Sequence, residues 1–419
     1  MTKLNPADRL KILICGGGIA GPALAFWLVR AGHQVTVVER FPALRATGAQ
    51  VDLRGQGIDA ARRMGLLDAI RSKLVDEPGV AFVNARGKRI ATILANTSGK
   101  GAQTMTSEYE IMRGDIVRLL FDATKDGVEY RFGRSLEKFD QDDERVIAHF
   151  SDGSSEEFGL LVGADGQGSR IRTALTGPDI PQPYFRFGIH MAYWFIPRIA
   201  SDTSIRDTYQ APGGRMIMRR SHNETETQVY FFMQSSSEEA SRIHRATLEH
   251  QKKFWAERFQ DAGWQVPRFI EGMQTASFFY SQEVVQVRTD QWSKGRTVLV
   301  GDAAHCASPY SGMGVSGSLV GAYVLAGEIN KNPGNLGAAF ANYDRVLRPF
   351  VDKIQDVNPR LLRLGMPRTQ LGIKLFQGVT ALATALHIPG LVASLASEDR
   401  GGGWRLPSYP NTDVSYSST

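Results

Sequence analysis

The sequence has only 2 cysteines among 419 residues, Cys15 inside an apolar run and Cys306 far downstream. That excludes a disulfide scaffold and predicts a reducing, cytoplasmic setting. There is no Cys-x-x-Cys pair, and no cluster of His, Cys and carboxylates has metal-ligand spacing. No low-complexity block and no internal repeat interrupts the chain. Its cations are not gathered. The 49 Lys+Arg against 43 Asp+Glu give a net charge of +6 without a stripe or run, which argues against nucleic acid and leaves a mild pull on small anions. The N-terminus, MTKLNPADRLK, lacks the charged-then-apolar layout of a secretory signal.

Long uninterrupted apolar runs are missing as well. Ile12 to Val29 has the length of a membrane span, but Gly16, Gly17, Gly18, Gly21 and Pro22 break its start, so strand, turn and helix explain it better. Leu371 to Ala396 is interrupted by Lys374, His387, Pro389 and Gly390 and reads as packed C-terminal helices. Contact with a membrane surface is the competing reading there; stable insertion is not expected.

What is present belongs to an ordinary globular protein, 42% hydrophobic and 22% charged, and long enough for two packed domains. Ile12-Leu13-Ile14 enters the glycine cluster, Pro22 to Arg30 then reads as a helix ending near Gly32, and Val35 to Val38 forms a second strand closed by Glu39. Glycines at 16, 18 and 21 let the backbone turn sharply and approach a pyrophosphate, whose charge sits on the amides and positive end of the helix. Glu39 is placed to accept hydrogen bonds from ribose hydroxyls, which fits FAD or NAD and disfavours a 2′-phosphate. A glycine turn made only for close packing is the competing reading.

Two further segments narrow the choice. Leu160-Leu161-Val162 leads into Gly163-Ala164-Asp165-Gly166, followed by Arg170 and Arg172. Thr297 to Val300 runs into Gly301-Asp302-Ala303-Ala304-His305, then Pro309 and Gly312-Met313-Gly314. With the first turn these segments resemble, in order and approximate spacing, the three-part signature of group A flavin monooxygenases, the aromatic hydroxylase family with the para-hydroxybenzoate hydroxylase fold. Gly48 to Leu53 is similar to a segment beside the flavin ring in the tetracycline-inactivating branch.

The resemblance implies an α/β fold: a Rossmann-like FAD-binding domain (1–79, 106–175 and 286–348), a mixed-sheet substrate domain (80–105 and 176–285), and C-terminal helices with a polar tail (349–419). It implies FAD contacts from Gly16, Gly18, Ile19, Ala20, Gly21, Glu39, Arg40, Asp52, Arg113, Asp165, Gly301, Asp302, Pro309, Gly312, Met313, Gly314 and Val315. Asp302 would meet the ribityl hydroxyls, Arg113 the ribityl or phosphate region, and the helix after Gly314 would aim its positive end at the flavin pyrimidine edge. Asp165 would serve the pyrophosphate and the approach of NAD(P)H; capping of its own turn is the alternative.

The activity implied is an NADPH- or NADH-consuming monooxygenase, a monomer or weak dimer, which inserts one atom of dioxygen into an aromatic or polycyclic small molecule through a peroxyflavin. No catalytic side chain is required for that, because the cofactor performs the chemistry. A flavin-dependent oxidase or dehydrogenase on the same fold is the rival. Ser316 and Gly321 stand where the family often has an asparagine and an aspartate, which points to a diverged subfamily. His305 and Cys306 read as buried structural residues, with acid–base or thiol chemistry as the competing readings. The middle, with runs such as Gly188 to Phe195 and Thr227 to Met233, reads as an antiparallel sheet whose cavity and core residues are not separable by pattern.

Overall fold

In the computed structural model, which describes residues 4–96, 108–177, 179–388 and 403–409, the first apolar run becomes the centre of a parallel sheet. Strand Lys11–Cys15 pairs in parallel with Gln34–Glu39 on one side and Leu160–Gly163 on the other. Ile12, Leu13 and Ile14 are fully buried, which is why the run is continuously apolar. Thr297–Leu299 and Glu129–Phe132 extend the sheet in parallel, and Ser293–Lys294 closes one edge antiparallel. Thr297–Leu299, Leu160–Gly163 and Lys11–Cys15 are neighbours, so the three glycine-rich segments leave their carboxyl ends side by side. The chain moves to opposite sides from the central strand, and such switch points are where open parallel sheets take ligands.

Helix Ala20–Ala31 stops at Gly32, whose φ of 100° is left-handed and whose N–H is bonded to the carbonyls of Leu28 and Val29. Helix Gly314–Lys331 packs on it, with Trp27 meeting Tyr323 edge-on at 5.2 Å. That second helix is buried all round from Val315 to Ile329, as its lack of a polar face requires. An antiparallel meander, Leu136–Gln141, Val146–Phe150 and Ser155–Phe158, adds Val146, Ala148, Phe150 and Phe158 to the same core.

The second sheet has seven strands in the order Phe279–Val287, Tyr184–Pro197, Glu226–Gln234, Arg215–Ser221, Arg206–Ala211, Gly79–Val83, Arg89–Leu94. It is mixed, because Arg206–Ala211 joins Gly79–Val83 in parallel while the other neighbours run antiparallel. Side chains alternate across it. Ala192, Trp194 and Ile196 meet the covering helices Leu248–Phe259 and Val266–Thr275, whereas Ile189, Met191 and Tyr193 turn to the opposite face with Tyr230 and Phe232. Position along the strand thus assigns each residue to one of two buried faces.

A two-stranded ribbon, Gln50–Asp52 with Glu110–Met112, joins the two sheets. Arg220 of the larger sheet holds Glu77 through two 2.8 Å bonds and also pairs with Glu110. Gln228 donates to the Gln50 side chain at 3.2 Å. These buried groups satisfy one another, which is the condition for a polar seam to be tolerated.

Helices Leu336–Ile354, Pro359–Leu364 and Gln370–Ala385 follow. The last lies against Arg89–Leu94, burying Ile373 and setting Phe376 edge-on to Phe82 at 5.6 Å. Residues 389–396 of the expected helical region, and the tail from 410, lie outside the described residues. No described helix is long and apolar enough to cross a membrane.

Candidate functional site

The glycines of the site divide by the reason for their presence. A Cβ on Gly16, which has φ of +123°, would lie 2.2 Å from the Ala164 carbonyl oxygen, and one on Gly21 would lie 2.0 Å from the Gly16 oxygen. Both are therefore demanded by the turn itself and by the second segment crossing it. Gly301, at φ of +63°, would strike Ala20 Cβ at 2.6 Å, which brings the first and third segments into contact. Gly314 and Gly18 are different. A Cβ on Gly314 meets nothing within 4 Å, and one on Gly18 meets only Arg113 Nη2, at 3.5 Å. Neither has a left-handed φ. Among the described residues nothing requires glycine at either position, so both leave the backbone open to close approach by a ligand.

Charge converges on the same edge. Glu39 ends its strand and accepts the Gly17 N–H at 2.9 Å and the Phe41 N–H at 3.1 Å, so the carboxylate is fixed beside the turn with lone pairs left over. Arg113 starts its helix, reaches Gly18, and donates to the carbonyls of Arg45 and Thr47 at 3.2 and 3.0 Å. Burial pushes its guanidinium pKa down, and the neighbouring Arg45 charge adds to this. Among the described residues neither arginine has a carboxylate within ion-pair distance; Arg45 instead covers the rings of Phe41 and Tyr280. Two half-buried cations without an anion make a site for one. Arg45 has no motif around it, and only its folded position marks it.

Asp302 faces Arg113 from the third segment. Burial pushes its carboxyl up, opposed by a hydrogen bond from the Cys306 thiol and by the Arg113 charge. A carboxylate so poorly supplied with donors suits a hydroxyl-bearing ligand. Asp165 has its Oδ2 occupied by the N–H of Arg170 at 2.8 Å, so it caps its own turn, while its Oδ1 is buried without a partner. Arg172 is an internal strut and, among the described residues, pairs with no surface carboxylate: it donates to Ala303 O at 2.7 Å and Gln167 O at 2.6 Å, joining the second and third segments. Arg40 is exposed over the Phe41 ring and Arg170 is exposed.

At the other end of the crevice, Asp52 accepts Arg54 Nη2 at 3.0 Å, and both lie against Gly312, whose φ of +64° requires glycine. Ser316 is the departure that becomes intelligible: its hydroxyl accepts the Arg54 N–H at 2.9 Å and donates to the Arg54 carbonyl at 3.0 Å, locking the Gly48–Leu53 segment to the third. Gly321 makes room for His305, whose Nε2 would be 3.0 Å from a Cβ there. His305 is buried beside Trp292, and burial lowers it to about 4, so it is neutral. The Cys306 thiol is raised by burial. Neither is activated. Met313 and Val315 are buried at the start of the long helix, and Pro309 is exposed on the preceding turn.

The sheet closes over this end. Tyr193 OH accepts the Ala49 N–H at 3.1 Å, and Tyr310 of the third segment stands 6.3 Å from the Phe232 ring. Phe187, Met191, Tyr230 and Met366 complete an aromatic and thioether wall with Tyr280 and Phe278 at its margin.

A dinucleotide fits these residues: a glycine turn against a helix start with no side-chain cap and no acid in its first turn, two anion-seeking arginines, and two carboxylates for hydroxyl groups. Residues 9–332 match the FAD binding domain family. The chain is similar to the FAD-dependent monooxygenase asL4 of Sarocladium schorii, 38% identical over 96% of this chain and 98% of that one. It is 39% identical to the flavin-dependent monooxygenase eupH of Phoma sp, over 96% and 98% of the two chains. Its structure is similar to that of the tetracycline destructase Tet(55), with a TM-score of 0.78 and 28% identity, covering 97% of this chain and 100% of the other. The chain thus belongs to the FAD-dependent monooxygenases with the para-hydroxybenzoate hydroxylase fold.

Proposed function

We propose that the chain holds FAD along the carboxyl edge of its parallel sheet and, with NADPH or NADH as transient reductant, inserts one oxygen atom of dioxygen into an aromatic or polycyclic small molecule. The flavin, when bound, supplies hydride acceptance and dioxygen activation. The amides of Gly16 to Gly21, the helix start at Ala20, and Arg113 with Arg45 hold the pyrophosphate. Glu39 accepts from the adenosine ribose and Asp302 from the ribityl chain. Gly312 to Val315 present amides and the positive end of a long helix to the flavin pyrimidine edge, where negative charge is stabilised. Asp165, Asp52, Pro309 and the exposed Arg40 border this path.

The observation that carries the reading is the aromatic wall turned towards Ala49 and Tyr310, since oxygen insertion needs a substrate held against the cofactor in a chamber that excludes water. The likeness to a tetracycline destructase fits a polycyclic occupant. Purified protein is expected to carry flavin absorbance, to oxidise NADPH faster when substrate is added, and to place labelled oxygen from dioxygen in the product. Oxidised product without label, with hydrogen peroxide released, replaces the reading with an oxidase.

A further inference from the structure

We propose that the surface formed by Pro359–Leu364 and Gln370–Ala385 docks this chain on an anionic lipid membrane. One face of helix Gln370–Ala385 packs on the large sheet through Ile373 and Phe376. Its other face exposes Leu371 (77%), Leu375 (67%), Val379 (60%) and Leu382 (62%), and Leu386 (63%) continues the stripe just past the helix end. That spacing makes one continuous apolar stripe along the helix. Leu361 and Leu364 of the preceding helix are each 65% exposed beside it in sequence. Isolated exposed leucines need no explanation, but a stripe of this length does.

Charge identifies what covers it. From 359 to 388 there is no Asp or Glu, while Arg360, Arg363, Arg368 and Lys374 are all exposed. None of the four is paired with a carboxylate among the described residues. A second copy docking by the same face would set these cations against themselves, because a two-fold interface matches a patch with its own image. Anionic headgroups complement the cations, and the acyl boundary complements the leucines. The 16-residue helix, roughly 24 Å long, is too short to span a bilayer and suits lying in the interface.

The surface is fastened to the aromatic cluster of the large sheet. Gln210 donates to Gly365 O at 2.7 Å and Gln234 to Met366 O at 2.9 Å, while Met366 itself belongs to that cluster. Docking there brings this face of the sheet to the lipid, whatever reaction it serves.

The test is sedimentation of the full chain with vesicles of phosphatidylcholine and phosphatidylserine at about three to one, and with phosphatidylcholine alone. Binding is expected to the first, at least about tenfold weaker to the second, and to fall as salt is raised to about 0.5 M. Leu375→Glu with Leu382→Glu, and separately Arg360→Gln with Lys374→Gln, are each expected to reduce binding about tenfold with unchanged circular dichroism. Equal binding to both vesicle types, absence of binding, dimerisation without vesicle binding, or full binding by both variants overturns the proposal; the salt response of the unmodified chain decides if a variant misfolds.

Discussion

Replacing Gly314 by alanine separates a residue that serves the fold from one that serves a ligand. The added Cβ meets nothing within 4 Å, and the position begins a helix with an ordinary φ. Alanine restricts the unfolded chain more than glycine does, so the apoprotein is expected to gain up to about 0.5–1 kcal/mol, or roughly 1 °C in melting temperature. Flavin affinity should move the other way. If the cofactor backbone packs on this turn, a methyl group in the contact is expected to cost at least about 1.4 kcal/mol, a tenfold rise in Kd. Gly16→Ala is the control, since its Cβ would sit 2.2 Å from a backbone oxygen at φ of +123° and the fold itself should be damaged. Melting of the apoproteins and titration with FAD by flavin fluorescence measure both quantities. A Gly314→Ala protein that melts slightly higher and binds FAD with unchanged Kd would refute the reasoning, because the glycine would then have no ligand to accommodate.

Arg113→Met and Arg45→Met are expected to weaken FAD roughly tenfold or more each, because each removes a half-buried cation without an ion-paired carboxylate; apoprotein stability is expected to hold for Arg45→Met, whereas Arg113→Met also loses its bonds to the Arg45 and Thr47 carbonyls and is expected to cost about 1 kcal/mol, and fluorescence titration and melting curves check both. His305 has a folded-state pKa depressed to about 4, below the roughly 6.5 of an unfolded imidazole, so its protonation favours unfolding. Stability is therefore unaffected above pH about 6.5 and falls by up to about 1.4 kcal/mol per pH unit between there and about 4; denaturant melts of His305→Gln should show a correspondingly shallower slope. Ser316→Ala leaves the buried Arg54 N–H without a partner, while the Arg54 carbonyl keeps the Gly57 N–H, and is expected to cost about 1–2 kcal/mol, whereas Ser316→Thr keeps the hydroxyl; urea melts of the two compare them.

The strand, turn and helix units at the carboxyl edge of the parallel sheet were legible in the sequence because each is local: a β-branched or aliphatic strand, a glycine turn, and a helix start lie within a few residues of one another. Helix Ala20–Ala31 and its stop at Gly32 fall where the pattern places them. Arg45 was not legible, since the role proposed for it depends on its place beside Arg113 from a different part of the chain. Ser316 looked like a weakened motif because its partner, Arg54, is 262 residues away. The aromatic cluster of the large sheet was hidden for another reason. Along Ile189 to Ile196 nearly every residue is apolar or aromatic and most are buried, so the alternation that normally marks a solvent face is missing and both faces read alike.

That strand also divides the ways in which the protein can change. Residues 192, 194 and 196 are clamped by two helices, and enlarging or shrinking them disturbs the close packing beneath. Residues 189, 191 and 193 instead pack on the opposite face, in the aromatic cluster that the proposed function takes as the substrate wall, on the same backbone. If that reading holds, substitutions there are expected to reshape what the enzyme accepts while the packing under the helices stays intact, so that new specificities are reachable by single steps at alternate positions of one strand.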